Sequence, residues 1–313
     1  MIGVGLYGQN GHQIQASLAK YTNARFVAAA AFKEDFELPQ GVRRYADLDG
    51  LLGDSDVSLV SLCSPLRRDQ ADDAVRCMKA GKHVYAEKPC ALDEAGLDRI
   101  MAASCETGMI FHEMAGTYCE QPYLAIKRIV ASGGIGTVVQ VFAQKSYPLY
   151  DGRPQDENVD GGLLAQAGVH ATRFIEHVAG VKIKTINALE TSLANPVAGG
   201  GLKIASVCIM ELENGGVACM SVNYLNPPAI GTWGNECLRI FGDRGMIEAT
   251  DGGTKTRLVL KEKDFGPIDA SAPPLDFFGM ILDEINGKGA APMTLEDELH
   301  PTRMVIRAKR SLD

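Results

Sequence analysis

The feature that most constrains the fold is a regular alternation of short apolar segments and helical segments from Met1 to about Ala115. Short apolar runs bounded by turn residues are typical of buried parallel strands. They are Ile2–Tyr7, Phe26–Phe32, Val57–Cys63, His83–Ala86 and Met109–Met114. The helical segments between them are Gln13–Lys20, Leu48–Leu52, Asp69–Ala80 and Glu94–Glu106. Because short β-α links imply right-handed crossovers, this part of the chain predicts an α/β fold with a doubly wound parallel sheet.

The pattern changes after Gln121-Pro122. Two helices and one strand are followed by a succession of strands between Lys184 and Lys261, and two helices close the chain. Asn214-Gly215 and Asp243-Arg244-Gly245 are hairpin turns, because they supply the residues that tolerate positive φ. Strands joined by hairpins predict a second, α+β region built on a large, mostly antiparallel open sheet.

A glycine-containing turn follows the first strand. The first three glycines of the chain match G-x-G-x-x-G, the dinucleotide fingerprint, but the first two of them fall within the strand. The turn itself covers Tyr7–Gly11, and we expect the helix to begin near His12. Gly8 and Gly11 therefore take the places of the second and third fingerprint glycines, unless they only permit a tight turn.

The end of the second strand bears on the choice of cofactor. A ribose-binding acid is expected about 20 residues beyond the glycines, and that position holds Ala31. Phe32 could lie against adenine and Lys33 could meet a 2′-phosphate, which favours NADP over NAD. Glu34 and Asp35 weaken this preference, and the alternative is that Lys33 is a solvated loop residue.

Composition excludes several classes of protein. The 313 residues are 46% hydrophobic and 22% charged, which argues against disorder. A net charge of -8 argues against a broad nucleic-acid-binding surface. The eight cysteines form no C-x-x-C pair, which indicates reduced thiols and no metal site. Without a signal-like or long apolar segment, we expect a soluble, cytoplasmic protein with no membrane or nucleic-acid partner.

The most specific stretch is Gly81–Pro89, in which a strand ends at Glu87-Lys88-Pro89. Lys88 is thereby placed at the carboxyl edge of the sheet, where ligands bind in doubly wound folds. Together with the glycine turn, this stretch closely resembles the Gfo/Idh/MocA family, the glucose-fructose oxidoreductase and inositol dehydrogenase group. The resemblance extends over nearly the whole chain. It includes Tyr45-Ala-Asp-Leu, Cys63-Ser64-Pro65, Ser132-Gly-Gly-Ile-Gly-Thr-Val, Gly161–His170 and Asn214-Gly-Gly.

The resemblance implies a Rossmann domain over residues 1–118 and a substrate-binding and oligomerisation domain over residues 119–313, whose last helices can pack back on the first domain. It implies hydride transfer between NAD or NADP and a hydroxyl or carbonyl carbon of a sugar, sugar derivative or cyclitol. It also implies a homodimer or homotetramer assembled through the open sheet. The predicted cofactor-binding residues are Gly8, Gln9, Asn10, Gly11, Phe32, Lys33, Ser64, Pro65, Glu87 and Lys88.

The resemblance makes Lys88 and His170 the catalytic pair. Histidine has an unperturbed pKa of roughly 6.5, so His170 is the candidate base unless it is only a core histidine. Lys88 contacts the reacting oxygen, either as a base or as a cation that stabilises an alkoxide. Gln166, one helical turn before His170, stands where the family frequently has Asp. It can orient substrate hydroxyls but cannot exchange protons.

Further departures and alternatives remain. Arg173 replaces a frequent Asp, and Leu66-Arg67-Arg68-Asp69 replaces the Asn-x-x-His that often follows the strand-end proline. Tyr118 and Lys145 are candidate substrate residues because both follow strand ends. The alternatives are a non-catalytic regulator that senses dinucleotide or sugar, and a glycoside-processing enzyme with tightly bound NAD.

Overall fold

The computed structural model describes residues 1–312, which form two compact units. The first unit comprises residues 1–114, 158–161 and 276–300, and the second comprises residues 115–157, 162–275 and 301–312. The division that the sequence predicts at 118/119 stays a prediction. No helix among the described residues is long and apolar enough to cross a membrane.

The first unit is built on a six-stranded parallel sheet. Its strands are β1 Ile2–Tyr7, β2 Ala24–Ala30, β3 Arg43–Tyr45, β4 Leu59–Leu62, β5 His83–Glu87 and β6 Phe111–Met114. The strand order is β3-β2-β1-β4-β5-β6. Strands β1 to β3 are therefore added towards one edge of the sheet and β4 to β6 towards the other, with the switch point between β1 and β4. This confirms the doubly wound sheet, and β3 is an edge strand that the sequence analysis missed.

Four helices link these strands, and two more follow much later in the chain. They are α1 Gln15–Leu18, α2 Leu48–Leu52, α3 Gln70–Lys79, α4 Glu94–Thr107, α8 Phe277–Ile285 and α9 Leu295–Arg310, whose residues from 301 onward belong to the second unit. Asp93 caps α4 by accepting from the Gly96 N–H at 2.6 Å, and Gly108 ends it at φ +68°. Both ends of that helix match their sequence signals.

The prediction of a helix over Gln13–Lys20 that begins near His12 was wrong. Helix α1 has only four residues, from Gln15 to Leu18. The residues before it are held by other contacts: the His12 N–H donates to Glu87 Oε2 at 2.7 Å, and the Gln13 side chain donates to the Gly8 carbonyl at 2.7 Å. The tertiary contact of His12 with Glu87 and the local contact of Gln13 with Gly8 therefore take the place of the predicted first helical turn.

The second unit is built on an eight-stranded sheet. Its strands are β7 Val138–Ser146, β8 Ile183–Thr191, β9 Ala205–Leu212, β10 Val217–Asn223, β11 Asn235–Gly242, β12 Gly245–Thr250, β13 Lys255–Leu260 and β14 Lys263–Gly266. The order is β14-β13-β12-β11-β7-β10-β9-β8, and every pair is antiparallel except β7 with β10. The mostly antiparallel sheet is confirmed, and β14 was not predicted.

Two helices belong to this unit, α5 Tyr123–Ala131 and α7 Gly162–Arg173, and the short helix α6 Glu157–Asp160 between them lies almost wholly in the first unit. Helix α7 continues as a π-helical turn over Phe174–Val178. It packs on one face of the sheet, where Gly168 brings its backbone close to Met220 and Val305. Several strand residues next to buried ones are apolar and exposed. They are Val139, Phe142, Val207, Ile209 and Val217.

Candidate cofactor turn and catalytic side chains

The turn after β1 requires glycine at Gly8. Gly8 adopts φ +70°, and its N–H donates to the Ala30 carbonyl at 3.0 Å. A Cβ at this position would stand 2.0 Å from the Cys63 carbonyl oxygen. Gly11 adopts φ +129°, and a Cβ there would stand 2.6 Å from Glu87 Cγ. The turn is therefore closely packed on the ends of β4 and β5.

Glu87 lies beneath this turn. Its Oε2 accepts from the His12 N–H at 2.7 Å and lies 3.0 Å from His12 Nδ1. Burial alone would raise the pKa of Glu87, but the hydrogen bond from His12 and the charges of Lys88 and Arg67 hold that pKa below its usual value. Glu87 thus supports the turn as a carboxylate, and direct contact with a cofactor stays a prediction.

Arg67 is a buried cation that the sequence analysis did not select. Its side chain is 1% exposed and donates to the Asn10 carbonyl, to Gln70 Oε1 and, at 3.5 Å, to the Glu87 carbonyl. Gln70 in turn donates to the Glu87 carbonyl and, at 3.0 Å, to the Pro89 carbonyl. The two residues tie the glycine turn to the Glu-Lys-Pro segment. In the sequence, Arg67 could have been noticed because Leu66–Asp69 replaces the Asn-x-x-His that often follows the strand-end proline.

Lys88 follows β5 directly and is 4% exposed. Its pKa is lowered, chiefly by burial and further by Arg67, while Glu87, Asp160 and Glu113 act in the opposite direction. Asp160 is buried, comes from the segment 158–161 of the same unit, and was not selected from the sequence. Lys88 therefore has an environment of mixed charge at the carboxyl edge of the sheet.

The other predicted cofactor residues surround the turn. Asn10 Nδ2 donates to the Pro65 carbonyl at 3.2 Å and to the Val159 carbonyl at 2.5 Å. The Ser64 hydroxyl donates to buried Asp73 at 2.8 Å, so this side chain is engaged within the protein. Gln9 Oε1 accepts from the Lys33 N–H at 2.9 Å, which joins the turn to the loop after β2.

The loop after β2 carries one cation, Lys33, followed by Glu34 and Asp35, and a second cation from β3 contacts it. Ala31 adopts φ +54°, and Phe32 is buried with its ring edge-on to Phe36 at 5.1 Å. Arg44, on β3, donates to the carbonyl oxygens of Lys33 at 3.2 Å and of Phe36. Arg44 is thus a second cation beside Lys33, and it was missed because β3 was missed.

These residues fit a dinucleotide. The glycine turn lies at the carboxyl edge of the sheet, beside the end of β4 and at the point where strand order reverses, which is where doubly wound folds bind ligands.

Among residues 1–312, no group of three or more His, Cys, Asp or Glu side chains could hold a metal ion.

In the second unit, His170 lies on α7 and is 8% exposed. Its Nδ1 lies 2.8 Å from the Thr117 hydroxyl, a partner that the sequence gave no reason to select. This contact orients the imidazole ring. Gln166 lies one turn earlier on the same helix and is half-buried. Arg173, at the end of α7, donates to the Ala115 carbonyl at 3.1 Å.

The other two candidate substrate residues of this unit, Tyr118 and Lys145, are both buried. The Tyr118 ring lies edge-on to His177 at 4.8 Å, with Lys127 Nζ 5.5 Å from its centroid. Lys145 forms an ion pair with Glu236, and its Nζ lies 5.1 Å from the Tyr147 ring centroid. Contact of either residue with substrate stays a prediction.

Two protein-family models together match most of the chain. Residues 1–114 match the NAD-binding Rossmann domain of an oxidoreductase family, and residues 123–248 match the GFO/IDH/MocA C-terminal domain. The chain is 24% identical over 226 residues to myo-inositol 2-dehydrogenase of Thermotoga maritima, which covers 71% of this chain and 64% of that protein. It is 26% identical over 245 residues to 4-carboxy-2-hydroxymuconate-6-semialdehyde dehydrogenase of a Sphingobium species, covering 76% and 71%.

A solved oxidoreductase structure from Thermotoga maritima superposes with a TM-score of 0.87 at 22% identity, covering 99% of this chain and 97% of that one. The two proteins therefore share a fold over their whole lengths. Since the two family domains also match in sequence and in the expected order, the chain belongs to the Gfo/Idh/MocA family of NAD-binding oxidoreductases.

Proposed function

We propose that this protein transfers a hydride between a nicotinamide dinucleotide and a hydroxyl or carbonyl carbon of a sugar, sugar derivative or cyclitol. The observation that carries the proposal is buried Lys88, held at the carboxyl edge of the sheet beside the glycine turn. The similarity to a myo-inositol 2-dehydrogenase supports a polyol substrate. The similarity to a 4-carboxy-2-hydroxymuconate-6-semialdehyde dehydrogenase supports activity on a carbonyl carbon.

The bound nicotinamide would supply the hydride acceptor or donor, and the chain's own residues would manage the proton. Lys88 is assigned to the reacting oxygen, where a charged ammonium group stabilises developing negative charge. Its lowered pKa makes proton exchange at Nζ easier than in a free lysine. His170, whose ring is oriented by the Thr117 hydroxyl, is assigned to proton transfer.

The cofactor preference is proposed to be NADP. Lys33 and Arg44 are two cations at the end of β2, and Ala31 stands where a ribose-binding acid would favour NAD. Titration of NADPH and NADH into the protein, followed by the fluorescence of the reduced nicotinamide, tests this. We expect tighter binding of NADP, and Lys33→Ala should weaken NADP more than NAD. A roughly tenfold preference for NAD that Lys33→Ala leaves unchanged would reject the proposal.

The activity itself is tested by screening polyols, aldoses and cyclitols with both cofactors at the nicotinamide absorbance. We expect cofactor-dependent turnover with at least one polyol or sugar. Cofactor binding without turnover on any of them would instead support a regulator that senses dinucleotide.

We also propose that copies of the chain associate through the open sheet face of the second unit. Val139, Phe142, Val207, Ile209 and Val217 form an exposed apolar surface there. Such a surface is typical of a site covered by a partner.

A further inference from the structure

One end of the second unit's sheet carries a stack of aromatic rings around a buried arginine. The Arg153 guanidinium carbon lies 3.6 Å from the ring centroid of Tyr224 and 4.4 Å from that of Tyr150. Trp233 continues the stack, with its ring 5.9 Å from Tyr150 and 6.1 Å from Tyr147. These residues follow β7 and β10, whose last residues pair with each other.

The guanidinium is held mostly by neutral groups. Arg153 is 9% exposed, donates to the Pro148 carbonyl at 3.3 Å, and has a buried Nε atom without a hydrogen-bond partner. No ion pair joins it to a carboxylate anywhere in residues 1–312. A charged side chain buried to this degree is ordinarily paired with an opposite charge. A ligand anion is the partner that the arrangement lacks.

The outer rings of the stack are open to solvent. Tyr150 is 46% exposed and Trp233 is 57% exposed. The loop that carries Trp233 is tied to the end of β7, because Asn226 Nδ2 donates to the carbonyl oxygens of Ser146 and Trp233, both at 3.0 Å. An indole held this way offers a flat apolar surface to the C–H face of a ring or carbon chain.

We propose that this stack, defined as Tyr150, Arg153, Tyr224 and Trp233, is a subsite for a carboxylate-bearing sugar or polyol. Arg153 pairs with the carboxylate, and Tyr150 and Trp233 pack against the carbon skeleton. The inference rests on the proposed function and names a substrate class for it, the acidic sugars. It involves binding only, with no bond made or broken.

The number of charges favours a carboxylate over a phosphate. Of the two lysines near this end of the sheet, Lys145 forms an ion pair with Glu236, and Lys203 donates to the Ser192 hydroxyl at 3.4 Å. One guanidinium then faces the ligand, and it balances a single negative charge. A phosphate monoester carries nearly two charges at neutral pH, which would leave part of its charge uncompensated.

The test uses intrinsic fluorescence, because Trp233 is the only tryptophan in the chain. D-glucuronate, D-glucuronamide, D-glucose and glucose 6-phosphate are titrated into the full-length protein without cofactor. We expect saturable quenching by glucuronate, at a concentration roughly tenfold or more below that of its neutral amide. Equal responses to glucuronate and glucuronamide would overturn the proposal, and so would tighter binding of the phosphate ester.

Variants then assign the effect to Arg153. Arg153→Gln should weaken glucuronate binding roughly 10- to 100-fold and leave glucuronamide binding nearly unchanged, because only the charged hydrogen bonds are lost. The glucuronate affinity of Arg153→Lys should lie between those of the unmodified protein and Arg153→Gln, since lysine keeps the charge but not the planar guanidinium. The matched control is Arg257→Gln on β13, an exposed arginine paired with Asp264. Unchanged glucuronate binding in Arg153→Gln would overturn the proposal.

Two readouts keep this inference separate from the proposed hydride transfer. Quenching of Trp233 needs neither cofactor nor turnover, so an inactive protein that still prefers glucuronate would reject only the enzymatic function. Turnover of neutral polyols, with no preference for the acid in either binding or kcat/KM, would reject only the carboxylate subsite. If Arg153→Gln does not fold, the comparison of glucuronate with its amide on the unmodified protein still decides the question.

Discussion

The two sheets of this protein differ in which part is available for binding, an edge in one and a face in the other. In the six-stranded parallel sheet, β1 and β4 are buried almost throughout, and the charged groups collect at the carboxyl edge. In the eight-stranded sheet, apolar side chains alternate between a buried and an exposed face. A sheet covered on both faces offers its edge to ligands, whereas a sheet covered on one face offers a surface to another protein. Changes at the edge should therefore alter catalysis and stability, and changes on the open face should alter assembly.

The largest expected effect is on turnover. His170→Ala should lower kcat by about 10²–10⁴-fold, as is typical for loss of general acid–base catalysis. Lys88→Met keeps the apolar stem but removes the charge, and it should lose a similar amount. Steady-state kinetics with a confirmed substrate measures both losses, and cofactor affinity should barely change in His170→Ala.

The double variant sharpens this prediction. If both residues act on one proton transfer, the two losses should not multiply. Near-normal turnover in both single variants would reject the assignment. Independent, multiplying losses would show that the two side chains serve separate steps.

The next effect concerns the packed glycine turn. Gly8→Ala should destabilise the fold or displace the turn, because its Cβ would meet the Cys63 carbonyl oxygen at 2.0 Å. Dinucleotide affinity should then fall by roughly tenfold or more, which is about 1.4 kcal/mol. Gly81→Ala is the matched control, since Gly81 has a similar φ of +74° but nothing within 4 Å of its Cβ position. It should cost only about 1 kcal/mol of backbone strain and leave cofactor binding intact.

A buried charge cluster in the first unit predicts a pH-dependent stability. His112 lies 2.6 Å from Glu298 Oε2 and 3.1 Å from Glu284 Oε2. Burial alone would lower the pKa of His112, but the hydrogen bonds to these two carboxylates raise it to about 9. Because the folded pKa lies above the unfolded value of roughly 6.5, the stabilisation is complete below that pH and is lost as pH rises through about 9.

Denaturant unfolding between pH 6 and 10 checks this step. The free energy of unfolding should fall by up to about 3 kcal/mol across the window. His112→Gln should remove the step, while His12→Gln, which changes an exposed histidine, should keep it. An unchanged profile in His112→Gln would show that another group titrates there.

The smallest effect on folding is expected on the open face of the eight-stranded sheet. Ile209→Lys should change the free energy of unfolding of the monomer by no more than about 0.5 kcal/mol. It should nevertheless abolish self-association in sedimentation experiments, because it places a charge in the apolar surface. Leu193→Lys, in an exposed loop, is the control that should leave association unchanged. A monomeric unmodified protein at micromolar concentration would contradict the proposed assembly.

Local signals determined much of this fold. The strand-helix alternation predicted the parallel sheet, hairpin turns predicted the antiparallel one, and Asp93 and Gly108 marked both ends of α4. These signals can be read from the sequence because the spacing of apolar residues and the residues that form turns are properties of short, contiguous segments. The glycine turn and Lys88 were found in the same way, from motifs contiguous in the chain.

Tertiary structure alone decided what surrounds those motifs. Arg67 supports the turn through the Asn10 carbonyl, 57 residues away, and Arg44 reaches the β2 loop from a three-residue strand with little sequence signal. Helix α1 is shortened by the hydrogen bond between His12 and Glu87, 75 residues apart. Arg153 is buried where Tyr224, from the end of another strand, lies against its guanidinium. Such contacts arise from chain segments with no local pattern in common, so only the folded chain brings them together.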